Sequence, residues 1–272
     1  MLLALNQNFS WGEVLKKYRE SKRRLIIFEY DGAAVPYDLH PGLTQPSLEV
    51  KAVIKSLCDD PKNVVMLLSG RNMEHLDKHW SSTQLILVAE NGAFYRVPGG
   101  KWQSLFTADN LWVERVATAM NSLSFRYTGS FVERKNHSIV WHHRTLKEPI
   151  AEAEIAQILA GLQALNKDEW FTIRHDEYAI ELSTAGIDPG SFIARWIGGR
   201  FFDFNLAVGT KRIEESLFGL FAKSACTIRV GPMIFSKANF HLASQDEVIP
   251  ILRELSSYGR TRQMFRYLND SN

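Results

Sequence analysis

Three apolar runs constrain this chain more than any other feature. RRLIIFEY, NVVMLLSG and LILVAENG are short, continuous stretches of aliphatic and aromatic residues. They end against Asp31-Gly32, Ser69-Gly70 and Asn91-Gly92. A strand with one wet face alternates polar and apolar side chains, whereas an unbroken apolar run of this length needs cover on both faces. Residues 11–20 (WGEVLKKYRE), 47–58 (SLEVKAVIKSLC) and 71–80 (RNMEHLDKHW) place apolar residues at helical spacing. Helix and strand alternating through short loops predict parallel βαβ units and a doubly wound α/β sheet. Functional loops then belong at the carboxyl ends of the strands, here residues 29–32, 69–71 and 90–92.

The pattern changes after about Trp112. Residues 111–122 read as a helix, SFVERKNHSIVWHHR as an alternating strand pair, 149–165 as an Ala-rich helix and FTIRHDEYAIEL as further alternating strands. Such alternation marks antiparallel strands with one face exposed. The first style resumes from Asp203 with FNLAVG, EESLFGLFAK and CTIRVG. The expected organisation is a core domain at 1–107 and 184–272, interrupted by an α+β insert at 108–183.

Composition narrows the class. Among 272 residues, 32 Lys and Arg face 30 Asp and Glu, a formal charge of +2, and 45% are apolar. These are values of a folded globular chain, with no electrostatic case for nucleic acid. Two cysteines, Cys58 and Cys226, exclude a disulfide scaffold and fit a reducing, cytoplasmic setting. No apolar run reaches the ~18–20 residues of a membrane span, so no membrane partner is expected. The opening MLLAL meets Asn6 at once, too short for a signal sequence. The tail carrying Arg260, Arg262 and Arg266 reads as a charged terminal helix or frayed end.

Six segments in order carry a family likeness: LIIFEYDGAAV at 25–35, VVMLLSGRNMEHLD at 64–77, VAENGAF at 88–94, GSFVERKNHSIVWHHR at 129–144, YAIELSTAGIDPG at 178–190 and LAVGTKRIEESLF at 206–218. The chain resembles the trehalose-6-phosphate phosphatases of the haloacid dehalogenase superfamily. The likeness is to the phosphatase half of bacterial bifunctional synthase–phosphatase proteins. The resemblance implies a Rossmann-like core with a parallel sheet and an inserted α+β cap domain. It also implies hydrolysis of a sugar phosphate through an aspartyl-phosphate, with magnesium.

Residue by residue, the likeness is broken where the chemistry would be done. The family's nucleophile, the first Asp of DxDGT, is here Glu29, one methylene longer; a shift of ~1 Å in such geometry costs about a hundredfold. Asp31 keeps the acid/base position. The resemblance gives Ser69, Gly70 and Arg71 to phosphate binding. The Lys-Gly element aligns with Pro189-Gly190, so its ammonium is lost. The metal-binding GDDxTDE reads Gly209-Thr210-Lys211-Arg212-Ile213-Glu214-Glu215. Glu29 and Asp31 are then remnant ligands of a lost metal site. Lys211 is expected to pair with both and to face the phosphate. The family's sugar-binding residues match Glu133, Lys135 and Glu181, and its HYR reads His142-His143-Arg144, which lack metal-site spacing.

Each feature has a plainer alternative: a turn at Asp31-Gly32, a helix cap at Ser69, a solvated pair at Glu133 and Lys135, and a solvated loop lysine at Lys211. Of His142 and His143, one is expected packed and one at the surface. The sum is a pseudophosphatase that needs no cofactor. It would bind a sugar phosphate such as trehalose 6-phosphate, or a partner trehalose-6-phosphate synthase. The alternatives are a slow magnesium-dependent phosphatase using Glu29 and Asp31, and an interaction module with an unused pocket.

Overall fold

Each of the three apolar runs forms a strand of one sheet in the computed structural model. The structure describes residues 2–5, 10–36, 45–81, 83–107, 110–176, 179–210, 214–221, 226–232 and 235–269, the side chains of 214 and 259–269 excepted. The chain begins with β1 (Leu3–Ala4), α1 (Trp11–Glu20), β2 (Arg24–Glu29), α2 (Leu48–Cys58), β3 (Asn63–Leu68), α3 (Met73–Trp80), β4 (Ile86–Ala89), a 3-10 turn at Glu90–Gly92 and β5 (Phe94–Arg96). Next come α4 (Trp112–Arg126), β6 (Phe131–Arg134), β7 (Ser138–His142), α5 (Glu152–Ala164), β8 (Phe171–His175) and β9 (Ala179–Thr184). It closes with α6 (Pro189–Ile197), β10 (Phe204–Gly209), α7 (Glu214–Phe221), β11 (Cys226–Val230), β12 (Phe240–Leu242) and α8 (Val248–Asn269).

The larger sheet has the order β1-β12-β11-β10-β2-β3-β4-β5. Its inner strands from β12 to β4 run parallel, and β1 and β5 close the edges antiparallel. Every residue of β2 is buried, which is why its sequence does not alternate. Ile26, Phe28 and Tyr30 face a core built with Val14, Tyr18, Ile54, Leu57, Leu76, Trp80 and Leu252 of the helices. Alternation along the strand puts Leu25, Ile27 and Glu29 on the opposite face. There α7 lies against β10 and β11, and α6 against α7 and the 3-10 turn.

By its contacts the chain divides into two compact units, residues 1–105 with 188–272, and residues 106–187. The second unit is an antiparallel sheet of order β6-β7-β9-β8. Its own core gathers Trp112, Val116 and Met120 of α4, Trp141 and Leu182 of the sheet, and Ile158 and Leu162 of α5. Among the described residues, no helix is long and apolar enough to cross a membrane.

Candidate active site

The site grows from the end of β2. Gly32 adopts φ 83°, a left-handed conformation that a side chain would strain, and the chain turns back so that Gly32 N–H donates to Val35 O at 2.6 Å. The turn leaves two carboxylates nearly inaccessible, Glu29 at 4% exposure and Asp31 at 6%. Buried ionised groups need partners, and Asp31 has one in Arg71. The Arg71 guanidinium donates Nε–H to Oδ2 at 2.8 Å and Nη2–H to Oδ1 at 2.5 Å. This is the two-pronged geometry that makes arginine–carboxylate pairs strong.

Arg71 arrives from the turn after β3, and that turn is held from two sides. Arg71 N–H donates to Ser69 Oγ at 3.0 Å. The 3-10 turn after β4 grips the same segment: Asn91 N–H donates to Ser69 O, and Glu90 N–H to Arg71 O, both at 2.9 Å. To do so Glu90 and Asn91 take left-handed φ values of 49° and 56°, strain of the kind that gathers at functional sites. A Cβ on Gly70 would come 3.2 Å from Asn91 Oδ1, so the grip also needs a small residue there. Ser69 and Asn91 are both buried. Asn72 caps α3; the Ser69 hydroxyl instead serves the turn.

Glu29 is held by a residue to which the sequence reading gave no role. Thr210, the first residue beyond β10, donates its backbone N–H to Glu29 Oε2 at 2.8 Å and its hydroxyl to the same oxygen at 2.5 Å. The expected Lys211 pairing lies outside the described residues, as does the Glu214 side chain. Glu215 is committed elsewhere. Its carboxylate accepts from Ser236 Oγ at 2.5 Å and Lys237 N–H at 2.8 Å, and lies 3.5 Å from Arg229 Nη1. Pro189 opens α6 behind its cap Asp188, and Gly190 N–H donates to Ser216 Oγ at 3.0 Å.

A magnesium ion wants near-octahedral oxygen ligands, and the described donors do not supply them. Both Asp31 oxygens accept from Arg71, Glu29 Oε2 accepts twice from Thr210, and Glu215 faces the loop after β11. Among the described residues, no cluster of three or more His, Cys, Asp or Glu side chains could hold a metal.

In the second unit, strand register brings the three predicted sugar-binding residues together. Val140 of β7 lies opposite Glu133 of β6 on one side and Glu181 of β9 on the other. Lys135 Nζ stands 3.8 Å from Glu133 Oε2 and 4.0 Å from Glu181 Oε1. Its side chain is 7% exposed, so this is no solvated surface pair. His142, buried, bonds through Nε2 to Glu133 Oε2 at 2.9 Å and stacks on Phe131. Arg144 Nη2 reaches His142 Nδ1 at 3.3 Å. His143 is half-buried against Trp141 rather than at the surface, and burial pulls its pKa below the usual histidine value, with His175 adding to the effect.

The sequence model described as Trehalose-phosphatase matches residues 27–239. The chain belongs to the trehalose-phosphatase family. A bifunctional trehalose-6-phosphate synthase/phosphatase of Thermoproteus tenax is 29% identical over 226 residues, 83% of this chain and 31% of the relative, so the chain spans about a third of that protein. Among solved structures, the C-terminal domain of Candida albicans trehalose-6-phosphate phosphatase superposes with a TM-score of 0.86 at 24% identity, covering 93% of this chain and 99% of that one. The C-terminal domain of a Candida albicans trehalose synthase regulatory protein superposes with a TM-score of 0.70 at 18% identity, covering 93% and 99%. At those identities the superpositions show the fold alone: this trehalose-phosphatase family member shares the α/β fold of those two domains.

Proposed function

We propose that this trehalose-phosphatase family member binds a sugar phosphate of the trehalose 6-phosphate type without hydrolysing it at an enzymatic rate. One observation carries the reading: Asp31, the acid/base position, has both carboxylate oxygens engaged by the Arg71 guanidinium. Both oxygens of that carboxylate are turned to the guanidinium rather than to a leaving alkoxide. Turnover also needs an attacking oxygen in line with phosphorus. Glu29 is the longer residue at that position, and its Oε2 accepts two hydrogen bonds from Thr210.

Binding groups remain where catalytic groups are compromised. The 69–71 turn leads into α3, and a helix start with its amides attracts anions. Lys135, Glu133 and Glu181 offer donors and acceptors suited to sugar hydroxyls, and we assign residues 106–187 to the family's cap. Fold does not decide activity, since the same architecture is found in a trehalose-6-phosphate phosphatase and in a trehalose synthase regulatory protein. The bifunctional relative makes a synthase the natural neighbour, in one polypeptide or as a partner.

The test is a single-turnover phosphate-release assay on trehalose 6-phosphate, with excess protein and magnesium, beside Glu29→Asp and Glu29→Gln. The expected result is no release from the natural chain and a rise in melting temperature with the ligand, since binding to the native state alone stabilises it. Release that Glu29→Gln abolishes would instead make Glu29 a working nucleophile.

A further inference from the structure

We infer that Thr210 takes the place of a divalent cation at Glu29, its two hydrogen-bond donors standing where a metal would meet that carboxylate while Arg71 supplies the positive charge at Asp31, so that the carboxylate pair is held by protein donors and the site works without metal. The inference rests on reading these two carboxylates as the remnant site, and goes beyond the loss of turnover. Two carboxylates two residues apart, each under a tenth exposed, need positive partners or hydrogen-bond donors in a water-poor place. Either a cation lies between them, or the protein supplies donors. Here the donors are visible. Arg71 spans Asp31 with two N–H groups, and Thr210 aims an N–H and an O–H at one oxygen of Glu29. The Thr210 hydroxyl also lies 3.4 Å from Asp31 O, so one residue bridges the two carboxylate-bearing positions.

Register explains why residue 210 can do this. β10 runs parallel to β2, with Val208 opposite Phe28, so its end is level with Glu29. Residue 210 therefore leaves the sheet at the height of the carboxylates. A cation approaching Glu29 Oε2 would meet two hydrogens already pointing at that oxygen. An Asp in place of Thr210 would reverse the situation, removing a donor hydroxyl and adding a third carboxylate beside Glu29. With Asp31 already paired to Arg71, Glu29 and the new carboxylate would repel each other unless a hard cation joined them.

The experiment uses the full chain with metal alone and no sugar phosphate, so its outcome is independent of whether the proposed ligand binds or turns over. Thermal unfolding is followed in EDTA and in Mg²⁺ for the natural chain, Thr210→Asp, Thr210→Ser and Thr210→Asn. Mn²⁺ binding is read in parallel from water-proton relaxation. The natural chain and Thr210→Ser, which keeps both donors, should show no shift between EDTA and Mg²⁺ and no Mn²⁺ site above surface level. Thr210→Asp should melt lower in EDTA, recover with Mg²⁺, and bind Mn²⁺ at least about tenfold tighter than the natural chain. Thr210→Asn, isosteric but neutral, should show no recovery. Tight Mn²⁺ binding by the natural chain that Glu29→Gln abolishes would overturn the inference. So would a Thr210→Asp chain that Mg²⁺ does not rescue while Thr210→Asn folds normally, because the carboxylates would then not be poised around a cation position.

Discussion

At the scale of single residues, the site depends on ion pairs that cannot be cut on one side. Arg71 and Asp31 have side chains 12% and 8% exposed. Removing one member of such a pair strands the other and costs about 3 kcal/mol, more than the intact pair contributes. Arg71→Met should therefore lower the unfolding free energy by that amount, read as a lower urea midpoint at an unchanged slope, and Asp31→Asn in the same chain should recover most of it. An Arg71→Met chain as stable as the parent would refute the pair's burial. His75 gives a second test. Its Nε2 lies 3.3 Å from the Tyr30 hydroxyl, and burial first, then Arg71, pushes its pKa down from 6.5 to about 4. Between those values the unfolded chain holds a proton that the folded chain refuses, so stability is full above pH 6.5 and falls as pH drops toward about 4. His75→Phe should flatten that part of the pH–stability curve; an unchanged slope would show that another group carries it. The departures at Glu29 and Pro189 are legible in the sequence because they change the type of side chain. The Thr210 role is not. Half of it is a backbone N–H, and its partner lies 181 residues away.

At the scale of elements, the long central strands are legible and the short strands at or beside the edges are not, for one reason. β2 is buried throughout, so its residues are uniformly apolar, whereas β1, β5 and β12 span two or three residues, too few to show any period. The helix α6 also escapes reading, because it starts at Pro189-Gly190, residues that ordinarily signal a turn. Its contact with α7 explains the glycine: a Cβ at Gly190 would lie 2.7 Å from the Ser216 carbonyl carbon. That neighbour is backbone, so Gly190→Ala should push α6 from α7 and cost about 1–3 kcal/mol, measured by chemical denaturation. A neutral result would show that the two helices can slide apart freely. Glu215 ties the start of α7 to the loop after β11 through Ser236 and Lys237, beside Arg229, which is 4% exposed. Glu215→Ala frees that loop and strips Arg229 of its carboxylate, so it should destabilise the chain by about 3 kcal/mol. Adding Arg229→Met should reverse part of the loss. If the two costs simply add, the pair is not coupled.

At the scale of the whole molecule, the two units differ in how they hold together, and this bears on their independence. In the first unit, strands from both ends of the chain interleave, β10 lying between β11 and β2, so neither half can bury its apolar strands alone. Residues 106–187 are continuous in sequence, and their sheet pairs only neighbours within that stretch. Their core has its own aromatic centre, Trp141, with no exposure and its indole N–H bonded to Ser130 Oγ at 2.8 Å. The Trp112 ring lies against Phe171 at 4.8 Å, and its N–H bonds to Thr184 Oγ1. Roughly 80 residues with one such core is near the lower limit for independent folding, where stability is only about 3–5 kcal/mol. The fragment 106–187 should therefore unfold cooperatively in urea, with near-ultraviolet circular dichroism from its buried tryptophans, at a midpoint below that of the full chain. Trp141→Ala, which removes about 3–5 kcal/mol from a buried aromatic, should abolish that transition in the fragment while leaving the first unit of the full chain folded. A fragment that shows no tryptophan signal and no cooperative transition would mean that the continuous unit draws its order from the discontinuous one.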